Sequence, residues 1–127
     1  MRGMTATVVI SFLLVLVLGI YCGERSRTVS EDFILRIEEA ATAVKQEKWE
    51  RALELARETE KAWQEQSAAL AMWVNHGDVD DVSVGLSQFR VSIDEKEKYH
   101  ALLYAAELDE ALSLIYHRDA LALKNIL

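Results

Sequence analysis

The stretch over residues 49–75, WERALELARETEKAWQEQSAALAMWVN, carries neither proline nor glycine and all three tryptophans of the chain. Trp49, Ala52, Leu53, Ala56, Trp63, Leu70 and Val74 fall on one stripe at steps of three, four and seven, with Ala52 and Leu53 adjacent on it. That is the helical period, so the stretch predicts a long amphipathic helix whose apolar face needs partners. At 1.5 Å per residue it would run roughly 40 Å, longer than most globular helices.

Nothing elsewhere punctuates the chain into strands. Its 127 residues include no proline and five glycines. One domain of helices follows as the expected architecture. The net charge of −7 argues against a nucleic-acid partner and against docking on anionic lipid headgroups. A single cysteine, Cys22, excludes an intramolecular disulfide.

Residues 4–22, MTATVVISFLLVLVLGIYC, hold no charge. The run meets the length of about 20 apolar residues that a bilayer core requires. No small-x-small cleavage pattern follows it, and Tyr21 occupies the place where a lipoprotein signal needs a small residue before the cysteine. An uncleaved anchor in contact with membrane lipid is therefore expected. Arg2 flanks one side and Arg25 and Arg27 the other, so the positive charges set no clear orientation. Gly19 and Gly23 have G-x-x-x-G spacing, which permits close approach of two spans and so a homodimer, but at the very end of the span the pair reads first as two small residues at a helix exit.

The soluble part reads as helices in sequence. Residues 24–29 form a polar joint, with Thr28 and Glu31 at capping-box spacing and Ser30 as another N-cap. Phe33, Ile37, Ala40 and Val44 define a first helix, and residues 45–48 a turn. This junction resembles part of a tetratricopeptide hairpin. No second copy appears at that repeat's period, so it reads as an ordinary helical hairpin. Gly77 is expected just past the end of the long helix, in the left-handed position, with Asp78 capping the next. Val79, Val82, Leu86, Phe89 and Ile93 predict a third helix, with alternation over 82–86 and 89–93 as a competing strand pattern. Ser92 and Glu95 make a second capping box. The last helix starts there and runs to about residue 122, with Leu102, Ala105, Leu108, Leu112 and Ile115 as its stripe and Ala101, Tyr104 and Ala111 at its edges. The expectation is thus an all-α chain: an anchor over 1–23, a linker over 24–29, and an antiparallel three- to four-helix bundle over 30–127.

Few residues suggest chemistry. His76, Asp78, Asp80 and Asp81 concentrate possible cation ligands, but the calcium-loop spacing is incomplete and helix capping explains the same carboxylates. His100 and His117 lack a metal-binding motif, and no phosphate or dinucleotide fingerprint occurs. No enzyme, metal or cofactor is expected. Trp49, Trp63, Trp73 and His76 are the candidate interaction residues, weighed against a core role for the tryptophans.

Several of these residues carry a family resemblance. Trp49, Trp63 and Trp73, then His76-x-Asp78-Val79-Asp80-x-Val82-x-x-x-Leu86, and the closing Leu123-x-Asn125-Ile126-Leu127, resemble the bacterial family grouped as domain of unknown function 4363. Val84 and Gly85 depart from its more strongly helix-forming third segment. The resemblance implies a single-pass membrane-tethered helical domain, with the bundle facing outside the cytoplasm, and no established activity. The leading expectation is a protein-interaction or scaffold module at the cell envelope, whose partner is another membrane or envelope protein. The alternative is a ligand- or cation-sensing domain using the turn over 76–81.

Overall fold

The computed structural model describes residues 2–70, 72 and 76–126, and their side chains except those at 22–27, 76 and 116–126. Among the described residues four helices follow one another: α1 (Arg2–Lys45), α2 (Trp49–Leu70), α3 (His76–Asp94) and α4 (Lys98–Ile126). No strand occurs among the described residues, so the alternation over 82–86 and 89–93 is overruled. The period of three and four wins because it alone puts Val79, Val82, Leu86, Phe89 and Ile93 on one buried face.

Each helix packs on the next in the chain, and α1 closes the ring on α4. This is an antiparallel four-helix bundle with short connections. Its core is continuous, with Phe33, Ile37, Val44, Trp63, Leu86, Phe89, Leu108 and Leu112 all fully or nearly sealed. Along α2 the sequence stripe is widened: Leu55 and Thr59 are buried, and Leu53 is only half-buried. Thr59 satisfies its hydroxyl by donating to the Leu55 carbonyl at 2.7 Å, so a polar residue is tolerated there.

The two short turns share one geometry. In the first, the amides of Gln46, Glu47 and Lys48 donate to the carbonyls of Thr42, Val44 and Ala43. In the second, those of Glu95, Lys96 and Glu97 donate to Val91, Ile93 and Ser92. Glu47 and Lys96, 49 positions apart, both have φ of 56°, the left-handed conformation that closes a helix end. The same offset relates core residues: Phe33 to Val82, Ile37 to Leu86, Val44 to Ile93, Ala52 to Ala101, Ala56 to Ala105 and Trp63 to Leu112. The bundle is therefore a helical hairpin present twice. The hairpin read from the sequence as solitary has its second copy at 49 residues rather than at a tetratricopeptide period. Lys98 Nζ lies 3.8 Å from Glu47 Oε1, so both turns sit at one end of the bundle.

Several predicted helix ends move. The backbone over 24–29, expected as a joint, is helical, and Thr28 and Ser30 are interior residues of α1 rather than caps. Ser92 is a buried interior residue of α3, and α4 starts only at Lys98. Gly77 belongs to α3 itself, with Asp78 in its first turn. The far end of the predicted 49–75 helix, including Trp73, Val74 and Asn75, lies outside the described residues; α2 is described to Leu70. Gly85 has a packing reason. A Cβ there would stand 2.7 Å from Leu108 Cδ2, so the glycine lets α3 lie close over Leu108.

The first part of α1 is different in kind. Residues Arg2–Tyr21 have a mean hydropathy of 2.5 and none of the span is buried. A helix of that length and composition suits a bilayer span or a signal sequence.

Candidate functional site

Polar side chains enter the bundle at few places, and two of these are related by the 49-residue offset. On the α2–α3 seam, Glu60 is a partly buried carboxylate with both oxygens held by donors on α3. Arg90 Nε donates to its Oε2 at 2.6 Å and Ser87 Oγ to its Oε1 at 3.0 Å. Glu60 keeps 15% of its side-chain surface exposed and Arg90 33%, so the pair is charge-assisted and incompletely hydrated.

On the α1–α4 seam the matching position is Asp109. It lines a recess of about 430 Å³ with Glu38, Ala41, Thr42, Lys45, Leu102, Ala105 and Ala106. Its Oδ1 is buried and has no hydrogen-bond partner. The α1 residues matching Ser87 and Arg90 are Glu38 and Ala41, so a donor and a cation are replaced by a second carboxylate and a methyl. Burial, and then the Glu38 charge, raise Asp109 from 3.8 to about 6.

Trp63 is core. Its ring meets Phe33 edge-on at 5.1 Å and 88°, and its Nε1 donates to Ser83 Oγ at 2.9 Å. Ser83 in turn donates to the Val79 carbonyl at 3.0 Å. An indole 1% exposed offers no docking surface, so Trp63 leaves the set of interaction residues. Trp49 is half-buried against the core. Trp73 and the His76 side chain lie outside the described residues.

The carboxylates of the 76–81 stretch are spread along the first turns of α3, with Asp78 half-buried and Asp80 and Asp81 exposed. Among the described residues no three histidine, cysteine or acidic side chains gather as cation ligands. His100 is exposed, its Nδ1 3.3 Å from Glu97 Oε2; the His117 side chain lies outside the description. Large apolar side chains are exposed on the bundle at Leu35, Val84, Val91, Tyr99, Leu103 and Leu114.

Sequence reading passed over Glu60, Arg90 and Asp109. Single charged residues at a helix boundary between apolar and polar faces look like ordinary surface. The available signal was their place: Glu60 and Asp109 each sit three residues before a core position, Trp63 and Leu112.

Among known proteins, one family model matches, described as Domain of unknown function (DUF4363), over residues 24–126. No curated protein and no solved structure matches the chain.

Proposed function

We propose, from the premise that this chain belongs to the DUF4363 family, that it is a membrane-tethered helical bundle that binds another protein at the cell envelope. One observation carries this reading. The apolar stretch Arg2–Tyr21 and the core residues Phe33, Ile37 and Val44 lie on a single helix, α1, so the bundle is built on the helix that would hold it to a bilayer. The exposed apolar side chains Val84 and Val91 on α3, with Tyr99, Leu103 and Leu114 on α4, support a contact surface on the second hairpin. Their counterparts in the first hairpin are, apart from Leu35, polar: Thr42, Glu50, Glu54 and Glu65.

Crosslinking in intact membranes tests the reading. A photo-reactive residue at Leu103 or Val91 should trap a second protein in a discrete adduct, while one at Glu50 or Glu54 should not. Recovery of free monomer alone from all four positions overturns it. A chain released from membranes by carbonate extraction would remove the tether.

A further inference from the structure

Among the described residues, the α1–α4 seam holds two carboxylates and no cation in contact with either. Asp109 on α4 and Glu38 on α1 line the same recess, and Asp109 Oδ1 is buried without a donor. Among the described residues, the polar side chains lining that recess are Glu38, Thr42 and Lys45 from α1 and Asp109 from α4. Lys45 is exposed, and among the described ion pairs none joins it to either acid. The Thr42 hydroxyl is committed to the Glu38 carbonyl at 2.9 Å. The sister seam solves the same problem with Arg90 and Ser87 around Glu60. A buried carboxylate oxygen beside a second carboxylate makes a second negative charge costly, and binding a proton removes that charge.

We propose that Glu38 and Asp109 form a proton-operated latch between α1 and α4, closed when Asp109 carries a proton and loosened when both carboxyls are charged. Protonated Asp109 is a donor as well as an acceptor, and the repulsion across the seam disappears. The latch acts on α1, the helix that also carries the apolar span, so acidity in the compartment around the bundle biases how firmly α4 is held to the tether. This inference is independent of the protein-binding reading.

The pH window follows from the Asp109 value. Folding raises it from 3.8 to about 6, so the folded chain holds the proton more tightly than the unfolded one. The resulting stabilisation is fully present below about pH 4 and is lost as pH rises through about 6.

The experiment uses the full chain in lipid nanodiscs. Carboxyl-carbon NMR should show an Asp109 resonance, assigned by its loss in Asp109→Asn, titrating near pH 6. Glu38→Gln should move that midpoint downward. The melting temperature of the wild type should fall between pH 4.5 and 7.5 by about 3 °C more than that of Asp109→Asn. A wild-type midpoint below 5, an unmoved midpoint in Glu38→Gln, or parallel melting profiles overturns the latch. If Asp109→Asn does not fold, an Asp109→Glu spectrum assigns the resonance and the two midpoints decide.

Discussion

Glu60 and Asp109 stand at one position of a twice-used hairpin, and only Glu60 is matched by a guanidinium, that of Arg90 at 2.6 Å. The two seams therefore carry an acid at the same hairpin position with different partners. Matched positions make such differences informative, because the same place in the hairpin is met by different polar partners.

Arg90→Met should destabilise the bundle by about 2 kcal/mol, because Glu60 would stay partly buried with only Ser87 to satisfy it. Glu60→Gln in the same background should restore much of the loss, since a neutral amide tolerates that site. Urea unfolding at pH 7 followed by circular dichroism measures both. Equal losses in the single and double variants would mean that the pair contributes nothing beyond the packing of the Arg90 stem.

Ala41→Arg transplants the sister seam's solution. Ala41 matches Arg90 and lines the recess that holds Asp109. A guanidinium there should stabilise the chain at pH 7 by about 1 kcal/mol, less than a sealed ion pair because the recess is open to solvent. It should also bring the Asp109 titration back towards the usual carboxylate range, flattening the pH dependence between 4.5 and 7.5. Destabilisation at every pH would show that the recess cannot admit the side chain.

Trp63→Phe keeps most of the apolar area and removes the indole donor to Ser83. A cost of about 1–2 kcal/mol is expected, against about 3–5 kcal/mol for Trp63→Ala, which also opens a cavity beside Phe33. Ser83→Ala should cost less in the Trp63→Phe background than alone, since the two share one hydrogen bond. Strictly additive losses would place the stability of Trp63 in its packing alone.

The helical stripes were legible because burial and period are one signal. Phe33, Ile37, Ala40 and Val44 in α1, and the five apolar residues of α3, are core as their spacing demands. The family was legible from the tryptophans and the His76-x-Asp78 segment, and residues 24–126 belong to it. Helix ends were less legible. Ser30 reads as an N-cap and Ser92 as the start of a capping box, yet Ser30 is buried within α1 and Ser92 in the last turn of α3, because tertiary packing overrides a local hydrogen-bonding preference. The duplication was hidden because volume is redistributed across it. Ala40 answers Phe89, Trp63 answers Leu112, and Thr59 answers Leu108, which needs Gly85 above it. Matched letters are few where matched space is plentiful. The two acidic sites were illegible for a related reason: what distinguishes Glu60 from Asp109 is the residue on the facing helix, about 30 positions away in the first case.

The two turns offer a paired test of that duplication. Glu47 and Lys96 are held at φ 56°, a conformation that costs a side-chain-bearing residue about 1 kcal/mol relative to glycine. Glu47→Gly and Lys96→Gly should each raise stability by about 0.5–1 kcal/mol, through relief of that strain rather than any new contact. Glu47→Gly also removes the 3.8 Å approach to Lys98, but both side chains are largely exposed and such a pair is worth little. The effects should add in the double variant, because the turns close different hairpins. Thermal melts of the four chains give the answer directly. If one glycine stabilises and the other destabilises, the two turns differ energetically despite their common hydrogen bonds, and the hairpins are alike in form only.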